Sequence, residues 1–258
     1  MRLQKSLLAI HEWCQSWQVS LSPSKCVSIL VGKEGPSKPL PLFIDHHQLE
    51  ESSLQRDLGV LVSSDLSFSQ HIQAQISKAN KVTYLIFKMF TAGRAKAMAQ
   101  AFAVYARPHL EVFSPVWNPG RRGNSLTQDC KALEAVQRTF TRSVYFRCGF
   151  PPAEYEERLR FLELPSLESR RTVLDLSLAH KLFSSPDMAG NHILPLHSRS
   201  RSLRQNHLFV PEVKAKGPRK SFFSNRIAKQ WNEIPDAVKC LSNAGFKEFL
   251  KDKYYRHI

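Results

Sequence analysis

The stretch 69-SQHIQAQISKANKVTYLIFKMF-90 is where the chain changes character. Ile72, Ile76, Leu85, Phe87 and Phe90 recur at helical spacing, whereas the residues before Ser69 form short β-branched runs bounded by Gly, Pro and Ser. Downstream the helical period persists. Met98, Phe102 and Tyr105 predict a second helix stopped by Pro108, and after the breakers Pro115, Pro119, Gly120 and Gly123 comes a long one. That helix is marked by Leu126, Leu133, Val136, Phe140 and Val144, with Arg138 and Arg142 between the apolar positions. Tyr155, Leu159 and Leu162 predict a short helix, and Leu167, Leu174, Leu178 and Leu182 another that begins near Ser166. Upstream, Leu3, Leu7, Ile10, Cys14 and Trp17 predict a helix over 2–19. Val27–Val31, Leu42–Ile44 and Leu54–Val62 predict strands, the last interrupted by Gly59, where a missing side chain permits a bulge or a close backbone approach. The expected fold class is therefore α+β, predominantly α.

Periodicity fails over residues 184–220, which gain Ser, Pro, His and Arg and are expected to form a linker. Beyond it, Phe222, Phe223, Ile227 and Trp231 predict one short amphipathic helix, and Phe246, Phe249, Leu250 and Tyr254 another.

With 258 residues, 42% of them hydrophobic, the chain can build a sizeable core. Its five cysteines are scattered with no C-x-x-C pair, and its ten histidines have no metal-ligand spacing, so a reducing intracellular setting and no metal site are expected. Neither a membrane span nor a signal-peptide core is evident. No phosphate-cradling glycine loop or nucleophile elbow occurs, which leaves a hydrolase reading without support. Charge is the informative quantity. The net value is +15, yet residues 1–65 hold six Lys/Arg against seven Asp/Glu, so the excess lies entirely downstream. A basic body implies a polyanionic partner, through phosphate neutralisation and counterion release. The densest stretch, 197–231, carries Arg199, Arg201, Arg204, Lys214, Lys216, Arg219, Lys220, Arg226 and Lys229 against Glu212 alone. It suits RNA or single-stranded DNA, with Phe222, Phe223 or Trp231 either stacking on bases or, as their spacing favours, packing in a helix core. Arg138 and Arg142 share a helix face, and Arg170 and Arg171 begin another helix's basic side.

Several segments together resemble one family. Glu12–Trp17, Ser22–Cys26, Asp57–Val60 and Ser64–Ile72 are followed in order by Arg107–Glu111, Pro115–Pro119, Leu133–Arg138, Tyr155–Leu159, Leu164–Arg171, Phe222–Arg226 and Trp231–Pro235. This order resembles the region beyond the catalytic centre of LINE-type, non-LTR retrotransposon reverse transcriptases, jockey-like ones in particular.

The resemblance implies a small antiparallel β remnant of a polymerase palm over 1–65 and a helical thumb over 66–120. A helical region over 121–183, a basic linker over 184–220 and short C-terminal helices over 221–258 complete the expected layout. It implies Lys25 on a loop that can supply a lysine to protonate the leaving pyrophosphate, against a plain exposed turn lysine. It places Leu58, Gly59 and Val60 on a primer-grip hairpin, against a strand bulge without a ligand. Mg²⁺ in the full-length family enzyme is held by an Asp-Asp box, and this sequence contains no Asp-Asp pair. The chain alone is therefore expected to lack a catalytic site and a cofactor, and to be a truncated, inactive RNA-directed DNA polymerase fragment in the cytoplasm or nucleus. RNA or DNA are its expected partners, with no membrane and with self-association through the exposed palm remnant. The alternatives are a non-catalytic nucleic-acid or protein interaction module and a decayed element copy without function.

Overall fold

The structure is a computed structural model that describes residues 2–31, 41–122, 125–184, 219 and 221–255, the backbone alone at 121, 122, 125 and 126. The described residues are mostly helical with a few short strands, the predominantly α variety of α+β. They form two compact units, Met1–His71 and Ile72–Ile258. The stretches expected as a thumb, a helical region and C-terminal helices therefore share one unit.

In the first unit, α1 (Arg2–Ser16) ends short of the expected residue 19. Gln18 takes a left-handed φ of 54°, and its N–H and that of Val19 turn back to the carbonyls of Gln15 and Cys14, which closes the helix. The Gln4 side chain acts as a piece of strand: its amide donates to the Phe43 carbonyl and accepts from the Phe43 N–H, at 2.8 and 2.9 Å. Through it α1 rests on β2 (Phe43–Ile44), which pairs antiparallel with β3 (His47–Gln48).

The expected single antiparallel sheet does not form. β1 (Val27–Ser28) pairs parallel with β4 (Glu50–Glu51), because the β2–β3 ribbon lies between them in sequence and returns the chain in the same direction. The strand expected over 54–62 is a hairpin, β5 (Leu54–Asp57) against β6 (Val60–Ser63). Its two-residue turn, Leu58 and Gly59, has φ of 44° and 90°, and two positive φ values at a hairpin corner match the twist of the flanking strands. Gly59 is thus a turn residue and not a bulge.

The buried apolar residues of this unit are few: Cys14, Ile44, Leu49 and Val60. Leu3, Ile10 and Trp13 of α1 stay exposed, and so does Trp17 just past its end, by 68%. The Ser64–Ser67 segment is an Asp-centred turn leading into α2 (Ser69–Met89): Asp65 accepts from Ser63 Oγ at 2.5 Å and from the Ser67 N–H at 2.9 Å.

In the second unit the expected helix through Tyr105 is α3 (Ala95–Ala101), continued by a π-helical turn over Phe102–Ala106 and a 3₁₀ turn over Arg107–Leu110. A short α4 (Ser114–Trp117) and a ribbon of β7 (Arg121–Arg122) and β8 (Ser125–Leu126) lead to α5 (Gln128–Arg147). Thr127 caps α5 by accepting the Cys130 N–H. α6 (Tyr155–Leu162) starts with a reciprocal Glu154–Glu157 capping box, and α7 (Leu167–Ser184) follows.

α7 is the hub of the unit, packing on α4, α5, α8 (Phe223–Asn232) and α10 (Asn243–Tyr255). Its apolar face, Val173, Leu176, Ala179 and Leu182, meets Phe223, Ile227 and Trp231 of α8 and Phe246 and Leu250 of α10. Phe223 and Trp231 are therefore core residues, while Phe222 precedes α8 and faces solvent. Between α8 and α10 lies the short α9 (Asp236–Lys239). His180 of α7 fastens this end: Nε2 donates to the Lys239 carbonyl at 3.0 Å, and the ring stacks on Phe246.

Candidate nucleic-acid interface

Three buried polar clusters bring together the segments that carry the sequence resemblance. In the first, the Glu134 carboxylate of α5 accepts from the Tyr155 hydroxyl at 2.5 Å and from the Leu167 and Glu168 N–H groups at 3.2 and 3.1 Å. It caps the start of α7 from another helix. Gln137, one turn on, donates to the Pro165 carbonyl at 2.9 Å and to the Tyr155 hydroxyl at 3.3 Å. Burial, and then the adjacent Glu134 charge, pushes the Tyr155 phenol well above its usual range.

In the second cluster, Arg170 of α7 forms a two-pronged pair with Glu111, and Arg107 lies 3.6 Å from the same carboxylate. In the third, Arg226 of α8 uses all five of its N–H groups internally. They go to both oxygens of Asp175 and to the carbonyls of Pro115, Asn118 and Ser221, at 2.8–3.1 Å. Asn118 also donates to Asp175 at 2.9 Å. Gly120 is needed here twice over: its φ is 64°, and a Cβ would lie 3.2 Å from the Arg226 Cδ.

The expected binding residues separate accordingly. Arg170 and Arg226 are engaged inside the protein, and Arg171 is 1% exposed with no hydrogen-bond partner for its guanidinium among the described residues. All three turn away from solvent. Arg138 and Arg142 are exposed, and the Arg138 guanidinium lies 4.2 Å over the Tyr155 ring. Arg199, Arg201, Arg204 and Lys220 lie outside the described residues. Lys25 is exposed at the end of a 3₁₀ turn begun by Pro23. Leu58 stands 86% exposed at the hairpin tip, and Val60 is buried beneath it.

The groove that sequence reasoning passed over runs along α2. It is a shallow, open depression of about 620 Å³ on one face of the helix, lined by Gln73, Ile76, Ser77, Asn80, Lys81, Tyr84 and Leu85. α2 contains no Asp or Glu, and its Lys88 ammonium lies 5.1 Å from the centre of the exposed Tyr84 ring. This face therefore presents amides, a hydroxyl, lysines and an aromatic ring with no carboxylate among them. The signal was present in the sequence as a 21-residue helix whose polar positions include no acid.

No group of three or more His, Cys, Asp or Glu side chains that could hold a metal occurs among the described residues. The sequence contains no Asp-Asp pair. No helix among the described residues is long and apolar enough to cross a membrane.

The chain is 25% identical over 128 residues to a Caenorhabditis elegans protein described as uncharacterized protein B0403.1; the match covers 50% of this chain and 62% of that protein. No family model and no solved structure matches the chain.

Proposed function

We propose that this chain is the non-catalytic, nucleic-acid-binding C-terminal part of a LINE-type reverse transcriptase. In this reading the first unit derives from the palm, α2 and α3 belong to the thumb, and the α5–α10 body lies beyond it. The observation that carries it is the carboxylate-free face of α2, an open surface on which Lys81 and, one turn beyond Tyr84, Lys88 offer cations to a nucleic-acid backbone. Convergence of the resembling segments supports the same reading: Glu134, Tyr155 and Leu167 meet in one cluster, and Asn118 and Arg226 in another. Segments that fold against each other are expected to be inherited together.

The test is binding of an RNA–DNA hybrid duplex, followed by fluorescence anisotropy. Each phosphate contact contributes about −0.9 to the slope of log K against log salt on a duplex. Replacing Lys81 and Lys88 by Glu should weaken binding by more than tenfold and make that slope shallower by about 2. Unchanged affinity in this double variant would remove the α2 assignment.

A further inference from the structure

α5 presents a second surface that the clusters above do not use. Its inward residues build the core and the Glu134 cluster, whereas Lys131, Arg138, Arg142 and Phe146 follow one another along its solvent face. At about 1.5 Å per residue this stripe runs about 22 Å. Among the described residues none of its three cations is in an ion pair. Of the two acids on α5, Asp129 lies in its first turn before the stripe begins, and Glu134 is turned inward and held by Tyr155 and the start of α7. The stripe ends on Phe146, which is 86% exposed. Next to it Tyr145, Phe150 and Phe161 pack edge to face, with ring centres 5.1–5.7 Å apart. An aromatic ring left in water at the end of a row of arginines gains nothing for the fold. Its face is free to stack on another ring.

We infer that this face of α5 binds single-stranded nucleic acid, with Lys131, Arg138 and Arg142 on successive phosphates and Phe146 stacking on an unpaired base. The inference extends the nucleic-acid reading above, using residues distinct from the α2 groove. Single-strand sites combine a cationic track with aromatic platforms and span about 4–16 nucleotides, which the stripe's length suits. A duplex keeps its bases stacked inside and offers Phe146 no ring. The Tyr155 ring beneath Arg138 holds that guanidinium in place before any ligand arrives. Exposed Glu156, Glu157 and Arg160 on the adjoining α6 temper the local charge, so the stripe supplies about three phosphate contacts and no more. Nothing on the stripe reads a 2′-hydroxyl, so RNA and DNA strands are bound alike.

The experiment measures anisotropy of labelled oligo(U) and oligo(dT), about 20 nucleotides each, and of the RNA–DNA hybrid, at about 50 mM salt. Four chains are compared: wild type, Phe146→Ala, Arg142→Glu and Lys251→Glu, the last placing the same charge change on the exposed face of α10. Phe146→Ala should weaken both single strands by about 5- to 150-fold, the range for one lost base stack, and leave the hybrid within about twofold. Arg142→Glu should weaken both and make the salt slope shallower by about 0.7. Lys251→Glu should change neither. All substituted side chains are exposed, so circular dichroism should show unaltered folding.

The inference is overturned if Phe146→Ala binds single strands like wild type, if it weakens the hybrid equally, or if Lys251→Glu costs as much as Arg142→Glu. A wild-type chain that binds the hybrid but neither single strand defeats this inference and spares the α2 assignment. Phe146-dependent single-strand binding without hybrid binding does the reverse. Failure to bind any probe defeats both.

Discussion

Glu134 is the position where a single atom group holds most structure. Its carboxylate accepts from Tyr155 and from the first two N–H groups of α7, and it is buried. Glu134→Ala removes a helix cap, which costs about 0.5–2 kcal/mol. It also leaves two backbone N–H groups and a phenol short of an acceptor, at about 1–3 kcal/mol for each buried group that stays unsatisfied. Tyr155 keeps its Gln137 contact and water can reach part of the gap, so the expected total is about 3–5 kcal/mol. In a unit of this size about 1 kcal/mol shifts the thermal midpoint by about 2–4 °C, giving a fall of about 6–20 °C.

Tryptophan emission reports it. Trp117 and Trp231 are buried in the second unit, whereas Trp13 and Trp17 are exposed in the first, so the blue-shifted component follows the unit that Glu134 holds. Glu134→Gln keeps one acceptor oxygen and should lose only about 1–2 kcal/mol. In a double-mutant cycle with Tyr155→Phe the two changes should couple by about 0.5–3 kcal/mol. A Glu134→Ala midpoint within about 2 °C of wild type, or glutamine as damaging as alanine, would refute the cap argument.

Two further predictions concern the other buried groups. Arg226→Ala strands the Asp175 carboxylate, only 4% exposed, and should destabilise by about 3–5 kcal/mol in urea melts. Arg226→Lys should not rescue it, because one ammonium cannot reach five acceptors; full rescue by lysine would show that charge alone matters. Raising pH tests Tyr155. Its folded pKa lies above the unfolded value of about 10, so the folded state binds more protons above that pH, and stability complete below about pH 10 falls as pH rises beyond it. Tyr155→Phe should flatten the alkaline limb of a stability–pH curve, and an unchanged limb would assign the loss to other groups.

Helix positions, the apolar face of α5 and the core role of Phe223 and Trp231 were legible in the sequence, whereas α7 buries Val173, Leu176 and Ala179 and leaves the expected Leu174 and Leu178 half-buried. Period and breaker residues are local properties, written in residues three or four apart. Pairing between distant segments is not local. The antiparallel expectation failed at β1 and β4 because strand direction depends on what the chain does between them. At Gly59 a lone glycine is compatible with a bulge, a close backbone approach or a turn, and only the pairing of β5 with β6 selects the turn.

The binding residues divide along the same line. Sequence by itself determined that the downstream chain is basic and that Arg138 and Arg142 share a face, since charge and spacing are both counted along the chain. Only the tertiary structure decided which cations meet water. Arg138 and Arg170 look equivalent as letters beside polar neighbours, yet Arg170 finds Glu111 and Arg226 finds Asp175, partners 59 and 51 residues away. A carboxylate that far along the chain neutralises a guanidinium only once folding has carried it there.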